Sequence, residues 1–164
     1  MQTFYELEYM GEALGVKLES AGGLTTWEAF PLYRHQKAVD RIRATIGPMR
    51  NTGGRCACVH AADVSIEFPD GSHKRPDIAL LCREPEESDK FLTLLPEAVI
   101  EIISEGYEAK DMEVGIPFYI AQGVKDVIAL NPSTKVVTHV RRDSRVEHVS
   151  PVTIQLECGC ICTV

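Results

Sequence analysis

Two apolar runs decide the fold of this chain: RPDIALL at Arg75–Leu81 and EAVIEIIS at Glu97–Ser104. Each run has the composition of a buried β-strand. Each also carries an acidic residue, since Asp77 opens the first run and Glu101 interrupts the second. A carboxylate inside an apolar strand is costly to bury unless something compensates its charge. Two of them on neighbouring strands therefore indicate a shared cation.

Asp77 and Glu101 are the candidate metal ligands, and Mg²⁺ or Mn²⁺ is expected because both ions accept oxygen ligands. Such a metal can activate a bound water and neutralise negative charge on a substrate. The alternative is structural: Asp77 would cap a turn beside Pro76, and Glu101 would pair with an arginine. We favour the metal site, because a carboxylate centred in an apolar strand is hard to explain otherwise.

Length and composition indicate one globular domain. The chain has 164 residues, of which 45% are hydrophobic and 25% charged, which is enough for an ordinary core. We expect a single domain over residues 1–164, with strands and a turn in 1–30 preceding a core in 31–164. No apolar run reaches the roughly 18 residues of a membrane span, and the first residues lack the pattern of a secretory signal. A cytoplasmic protein without a membrane partner is expected.

The net charge of −7 bears on nucleic-acid binding. It argues against a broad basic surface that grips phosphates without sequence preference. It does not exclude a nuclease, because catalytic carboxylates add negative charge that a bound metal offsets. Basic residues cluster in residues 34–43 and 141–145, so binding of DNA is expected to be weak or specific.

The order of the patterns predicts a mixed sheet with a helix on at least one face, an α/β (α+β) architecture. A hairpin and a helix precede a second hairpin that leads into the Asp77 strand. The Glu101 strand, a further helix, another strand and a C-terminal β meander follow. The predicted bounds are strands at 16–19 and 25–30, a helix at 31–46, a hairpin from 56 with its turn at 69–71, a helix at 108–122 stopped by Gly123, a strand at 124–130 and three short strands in 135–164.

Six cysteines occur, at positions 56, 58, 82, 158, 160 and 162. Cys158, Cys160 and Cys162 alternate as residues of a strand do, so they should share one face. Neighbours two apart on a strand are poorly placed for a disulfide, and the C-x₂₋₄-C spacing of zinc sites is absent. We expect small apolar residues packed in strands. A metal or redox cluster, as in a zinc-stabilised interaction domain, is the weaker alternative.

The motifs around the two carboxylates carry a family resemblance. They follow one another in the order Pro76-Asp77, Glu101, Ser104, Tyr119-x-x-x-Gly123 and Asn131-Pro132. In this order and with their flanking residues they resemble the Uma-type endonuclease family, over residues 31–164. The resemblance implies a restriction-endonuclease-like core of the PD…(D/E)XK nuclease superfamily, and an endonuclease that hydrolyses DNA with a divalent metal.

The same resemblance implies further features of the site and the assembly. A backbone carbonyl beside Glu101, that of Ile102, is implied as a third metal ligand. Nucleases of this type commonly cut duplexes as pairs, so a homodimer with DNA as its partner is expected. Edges of the C-terminal meander are the candidates for the contact between subunits.

This chain has no lysine at the two positions where the family resemblance implies a catalytic one. The position two residues after Glu101 holds Ile103, and the alternative position four residues before Tyr119 holds Gly115. Lys110 is the nearest lysine and is the candidate for a displaced catalytic lysine, since its flexible stem gives it reach. The alternative is a solvated lysine at a helix start. The departure also leaves a second function open, a degenerate nuclease fold that acts as a binding or assembly module.

Four further residues are weaker candidates for the site. Asp63 on the preceding hairpin fits a third carboxylate less well than a place on a polar face. His35 is interpreted mainly as a surface histidine, and Tyr119 as packing against the sheet. Ser104 is a candidate to hydrogen-bond near Glu101, and no His/Asp partnership supports it as a nucleophile.

Overall fold

A six-stranded sheet organises the protein, with strand order β11-β10-β9-β8-β7-β4. The computed structural model describes residues 3–50, 56–87 and 90–164. Among them the helices are α1 (Phe4–Ala13), α2 (Tyr33–Arg43), a π-helix (Lys110–Gly115) and α3 (Ile116–Ala121). The strands are β1 (Val16–Ala21), β2 (Leu24–Ala29), β3 (Gly47–Pro48), β4 (Val59–Ala62), β5 (Ile66–Glu67), β6 (His73–Lys74), β7 (Ile78–Leu81), β8 (Ala98–Ile102), β9 (Asp126–Leu130), β10 (Val136–Arg141), β11 (Ser144–Val149), β12 (Thr153–Gln155) and β13 (Cys160–Thr163).

The centre of the sheet is buried on both faces. Every residue of β7, β8 and β9 is buried, as expected for apolar runs that are continuous rather than alternating. β7 and β8 are antiparallel, whereas β8 and β9 are parallel. A parallel pair needs a crossover connection, and the π-helix and α3 provide it. The fold is therefore mixed α+β, as the sequence predicts.

Two apolar cores cover the two faces of this sheet. On one face, α2 packs Val39 and Ile42 against the sheet, and β12 and β13 complete that core. On the other face, α3 contributes Phe118 and Tyr119, which pack with Phe68 between β5 and β6. Among the described helices, none has the length and apolar character needed to cross a membrane.

The crossover differs in detail from the single helix predicted at 108–122. Residues 110–115 form a π-helix, and an α-helix continues from Ile116 with Pro117 in its first turn. Pro117 has no N–H to donate, and it lies where the hydrogen-bond pattern changes from π to α. Gly123 has a φ of 95° and ends the helix, as predicted, since glycine enters the left-handed region without a Cβ penalty.

Three predicted elements are corrected by the structure. Residues 1–30 contain helix α1 before the β1–β2 hairpin, and Thr3 and Glu6 form its capping box. The turn at 69–71 joins β5 to β6, while the strand that pairs with β7 is β4. The C-terminal tail has four strands instead of three, and β12 and β13 leave the main sheet to form a three-stranded sheet in which β13 pairs with β3.

The cysteines also differ from the prediction. Two disulfides, Cys56–Cys82 and Cys58–Cys160, join segments that are distant in sequence. Cys158 lies in the turn before β13 and not on the strand with Cys160 and Cys162. The alternation in sequence continues past the end of the strand, so it did not place all three residues on one face.

Asp126 is a buried polar hub at the start of β9. Its Oδ1 accepts hydrogen bonds from His139 Nε2 at 2.7 Å and Arg141 Nε at 2.6 Å. Its Oδ2 accepts one from the backbone N–H of Glu157 at 2.8 Å. Burial by itself would raise the pKa of Asp126, but the hydrogen bonds from His139 and Arg141 outweigh burial and lower it. The carboxylate thus ties β10 and the turn before β13 to the centre of the sheet.

Replacing Asp126 with alanine is expected to lower the free energy of unfolding by about 3–5 kcal/mol, because removing one partner leaves buried charge and donors uncompensated. Urea denaturation followed by circular dichroism measures the change. The control is Asp143→Ala in the exposed turn between β10 and β11, which should change stability by less than about 0.5 kcal/mol. Equal losses in the two variants would contradict the role of Asp126.

Candidate active site

Two carboxylates meet where β7 begins and β8 ends. Asp77 directly precedes β7, and Glu101 lies in β8, the antiparallel neighbour. The backbone N–H of Asp77 donates to Glu101 Oε2 at 3.1 Å, and the backbone N–H of Ile102 donates to Asp77 Oδ2 at 2.7 Å. Asp77 is 8% exposed and Glu101 7%. Strand pairing therefore brings the two predicted site residues together and buries both.

Two side chains from the flanking helices complete the contacts of this pair. Tyr119 donates its hydroxyl hydrogen to Glu101 Oε1 at 2.7 Å. His35 Nε2 lies 2.8 Å from Asp77 Oδ1, and His35 Nδ1 lies 3.2 Å from Ser104 Oγ. Since a carboxylate only accepts, Nε2 carries the hydrogen toward Asp77. His35 thus contacts the site directly, which corrects its interpretation as a surface histidine. Tyr119 packs against the sheet as predicted and in addition contacts Glu101.

Helical spacing explains why His35 points inward. Val39 and Ile42 follow it by four and seven residues and are both buried against the sheet. Residues at i, i+4 and i+7 lie on one face of a helix. The same burial that docks α2 therefore turns His35 toward Asp77, and this periodicity was readable from the sequence.

Burial and like charge disfavour ionisation of Glu101. Its pKa is raised well above the ordinary value, mainly by burial and then by the negative charge of Asp77. Burial also raises the pKa of Asp111, in the π-helix, to about 7. Burial followed by the Glu101 charge raises the pKa of Tyr119. The cluster consequently favours uptake of positive charge, either as protons or as a cation.

Lys110 lies beside this cluster, held by three carboxylates. Its Nζ is 2.9 Å from Glu28 Oε2, 3.2 Å from Glu19 Oε2 and 3.5 Å from Asp111 Oδ1. Burial alone would lower the pKa of Lys110, but Glu19 and the other carboxylates, Glu101 among them, raise it. Lys110 is therefore charged and ion-paired, and the alternative of a solvated lysine is wrong.

Glu19 links Lys110 to a second buried lysine, Lys74. Glu19 Oε2 lies 2.5 Å from Lys74 Nζ, and its Oε1 accepts a hydrogen bond from the Arg75 backbone at 2.8 Å. Burial by itself would raise the pKa of Glu19, yet Lys74 and Lys110 outweigh it and lower the pKa to about 2. The Lys74 ammonium also lies 5.7 Å from the centre of the Tyr119 ring. Two charged lysines, Lys74 of β6 and Lys110 of the π-helix, therefore lie beside the site.

The Ile102 carbonyl has a backbone geometry that suits a third oxygen ligand. The register pairs Ile78 with Ile100, so continuing it by two residues sets Pro76 opposite Ile102. The N–H of Ile102 turns to this side, where it reaches Asp77, and the carbonyl of a strand residue points the same way as its N–H. Proline has no N–H to donate. The ladder with β7 therefore leaves this carbonyl oxygen available.

A cleft opens next to the carboxylates. It has a volume of about 410 Å³ and is lined by the end of β2, the start of α2 and the residues after β8. His35, Ile102 and Ser104 belong to its wall, whereas Asp77 and Glu101 do not. His35 consequently stands between the cleft and Asp77. A ligand in the cleft would meet His35 and Ser104 before reaching the carboxylates.

The other positions considered from the sequence lie elsewhere or carry no charge. Ile103 is 7% exposed and packs in the core on the α3 side. Gly115 lies in the π-helix, where an added Cβ would come within 3.4 Å of the Lys110 carbonyl oxygen. Asp63 pairs with the buried Lys17 at 2.6 Å, and so it belongs to a separate ion pair.

Comparison with solved structures first places the fold. The protein is similar to a structure described as a "putative nuclease belonging to DUF820 from Anabaena variabilis ATCC 29413", with a TM-score of 0.62 and 16% sequence identity. The match covers 84% of this chain and 80% of the other. The restriction-endonuclease-like fold expected from the sequence agrees with this similarity. A comparison with curated proteins finds no match.

The sequence itself then defines the family. The profile of the Uma2 family, described as "Putative restriction endonuclease", matches residues 1–158. The chain belongs to this family, which confirms the resemblance drawn from the motifs around Asp77 and Glu101. The match begins earlier than the residue 31 at which the resemblance was drawn, and it includes α1 and the hairpin that carries Glu19.

Sequence reasoning missed Glu19, Lys74 and Asp111. Glu19 lies 55 residues from Lys74 and 91 from Lys110 in sequence, so no local pattern connects them. Asp111 directly follows Lys110 in sequence, but no pattern marks it as a site residue. An acidic residue in a strand, as at Glu19, is the same signal that pointed to Glu101, and it was available in the β1 hairpin.

We expect Glu19→Gln to destabilise the protein most at neutral pH. The folded-state pKa of Glu19 is about 2 against 4.5 for the free group, so its contribution is complete above about pH 4.5 and is lost as the pH falls toward 2. The difference in unfolding free energy should be on the order of 3 kcal/mol at pH 7. Urea titrations at a series of pH values measure it, with the exposed Glu105→Gln as control. A difference that does not change with pH would contradict the assignment.

Proposed function

We propose that the protein is a metal-dependent endonuclease that hydrolyses DNA phosphodiester bonds, with Asp77 and Glu101 as ligands of Mg²⁺ or Mn²⁺. The observation that carries this proposal is the buried carboxylate pair. Among residues 3–50, 56–87 and 90–164, no lysine or arginine lies within ion-pairing distance of either carboxylate. A purely structural pair would be expected to have such a partner.

The donor set fits a hard divalent cation. Each carboxylate oxygen accepts one hydrogen bond from the protein, from His35, Ile102, Tyr119 or the Asp77 backbone. These contacts orient the oxygens and leave further lone pairs on them. The Ile102 carbonyl adds a neutral oxygen of the kind that such cations accept. The raised pKa of Glu101 supports the same conclusion, because a cation would compensate the charge that burial and Asp77 disfavour.

The bound metal would supply positive charge for the attacking water and for the phosphate. The residues of the chain prepare the site for this chemistry. His35 holds Asp77 from the cleft side, and Tyr119 holds Glu101 from the opposite face of the sheet. Lys110 contributes a permanent positive charge near Glu101, which would stabilise the additional negative charge of the transition state. The ion pairs of Lys110 would hold its ammonium group in place. They would weaken its positive potential at the phosphate but would not abolish it.

The surroundings of the cleft support a nucleic-acid substrate. Arg34 lies in the wall of the cleft, and Lys37 and Arg41 are exposed further along α2. These side chains could contact phosphates on either side of the scissile bond. Because the whole chain carries a net charge of −7, binding would depend on this local face and on the metal.

The predicted homodimer remains a prediction. β11 forms one edge of the six-stranded sheet, and Val146 and Val149 on it are 47% and 73% exposed. An exposed edge with apolar side chains can pair with a second copy across a two-fold axis. This observation favours β11 over β12 and β13 as the region of contact. The predicted cytoplasmic location also remains a prediction.

Asp77→Asn and Glu101→Gln should each weaken Mn²⁺ binding by at least about tenfold, because each substitution removes a charged oxygen ligand while preserving size. Calorimetric titration measures affinity, and plasmid nicking on the same samples measures activity. The control is Asp143→Asn, which changes an exposed carboxylate in the turn between β10 and β11 and should leave both readouts unchanged. A wild-type protein that neither binds metal nor nicks DNA would overturn the proposal and favour the binding or assembly module.

Lys110→Met should lower metal-dependent nicking by about a hundredfold while metal affinity changes little. Lys110→Arg preserves the charge and should retain more activity than Lys110→Met. Urea denaturation is needed alongside, since the substitution also removes the ion pair with Glu28 and one of the two ion pairs of Glu19. If folded Lys110→Met nicked DNA at the wild-type rate, Lys110 would have no catalytic role. It would serve only to neutralise Glu19 and Glu28.

A further inference from the structure

The cysteines form one cluster on the face of the sheet that α2 covers. The Sγ atoms of Cys56, Cys158 and Cys160 all lie within 4.8 Å of one another. Cys82 and Cys58 are each disulfide-bonded to a member of this triplet, Cys82 to Cys56 and Cys58 to Cys160. Five sulfur atoms from three segments of the chain are therefore brought to one place.

The spacing of the triplet suits a single tetrahedral metal ion. Zn–S bonds are about 2.3 Å long, so two thiolates on one zinc ion lie roughly 4 Å apart. The sequence lacks the usual spacing of a zinc knuckle because the three cysteines come from two separate segments. Cys56 precedes β4, whereas Cys158 and Cys160 flank the turn that leads into β13.

The backbone holds these ligands in place independently of the sulfur chemistry. Gly159 has a φ of 89°, and this turn lets Cys158 fold back beside Cys160. The turn is closed by the N–H of Leu156, which donates to the Cys160 carbonyl at 2.8 Å. Asp126 fixes its other side through the N–H of Glu157 at 2.8 Å. Across the sheet, the N–H of Ala57 donates to the Cys82 carbonyl at 2.9 Å.

The two disulfides leave Cys158 as the free thiol of the triplet. A bond between Cys56 and Cys82 and another between Cys58 and Cys160 use four of the sulfur atoms that would otherwise be metal ligands. Metal binding and these disulfides therefore exclude one another. Reduction of both bonds would release four thiols beside Cys158, which is more than a tetrahedral site requires.

We infer that the reduced protein binds one thiophilic divalent cation such as Zn²⁺ through the thiolates of Cys56, Cys158 and Cys160. Cys58 or Cys82 supplies the fourth ligand. Each ligand thiol loses its proton to solvent when it coordinates the cation. This site is separate from the oxygen ligands Asp77 and Glu101, which suit Mg²⁺ or Mn²⁺. It would join β4, β7 and β13 in the reduced chain as the disulfides do in the oxidised chain.

Cobalt titration of the full chain tests this inference, because Co²⁺ bound by thiolates has a sulfur-to-metal charge-transfer band and the intense ligand-field bands of tetrahedral geometry. A phosphine first reduces the disulfides; each phosphine takes oxygen from water as one disulfide becomes two thiols. The reductant is removed under oxygen-free conditions. We expect the bands to saturate at one Co²⁺ per reduced chain and to disappear when Zn²⁺ is added. The oxidised chain should not develop them.

Two variants locate the site. Cys158→Ala, in the half-buried turn, should abolish the charge-transfer band or weaken cobalt binding by at least tenfold. Cys162→Ala is the matched control, since Cys162 is outside the triplet, and its spectrum should equal that of the wild type. Circular dichroism confirms that each reduced variant is folded.

The outcomes separate this inference from the proposed nuclease. Cobalt held by Asp77 and Glu101 would lack a sulfur charge-transfer band, and Asp77→Asn should leave the thiolate band unchanged. A folded, fully reduced wild-type chain without the band would overturn the thiolate site, as would an undiminished band in Cys158→Ala. Neither result would affect metal binding at the carboxylates.

Discussion

The close approach of Asp77 and Glu101 is the interaction on which the rest of the site depends. Antiparallel pairing of β7 with β8 lets the backbone N–H of Asp77 donate to Glu101 and that of Ile102 donate to Asp77, and it keeps both carboxylates nearly inaccessible to water. Two buried like charges are unfavourable without compensation. The surrounding residues supply it in part, since Tyr119 and His35 each give one oxygen a hydrogen bond. The remaining negative potential is the property that a divalent cation would use.

A network of buried ion pairs lies beside this pair. Lys110 is held by Glu19 and Glu28, and Glu19 also pairs with Lys74. The arrangement positions ammonium groups near the carboxylates while preventing a direct ion pair that would fill the site. For the proposed catalytic role of Lys110, it offers a route by which this lysine could act from outside its usual place. The π-helix carries Lys110 and Asp111 together, so a change of helix geometry in the crossover brings a different residue toward the sheet.

Secondary structure that follows from the local residue pattern was predictable from the sequence. The pairing of strands that are distant in sequence was less predictable. The apolar runs of β7, β8 and β9 and the glycine at the end of α3 follow from composition and backbone preference. Helix α1 was missed although Thr3 and Glu6 form a capping box, a signal that the sequence contains. The turn at 69–71 was recognised, but its partner strands were not. A turn shows that the chain reverses, whereas the register is decided by which strands offer a matching buried face.

The sequence by itself determined the central strands, the two carboxylates that belong to them and the family, because strand composition and motif order are local properties of the chain. Only the tertiary structure decided that His35 and Tyr119 contact those carboxylates, that Glu19 joins Lys74 to Lys110, and that sulfur atoms from three segments meet. These contacts join residues 18 to 102 positions apart. The energy of each contact depends on burial and on neighbouring charges, which exist only after the sheet and its two covering layers have assembled.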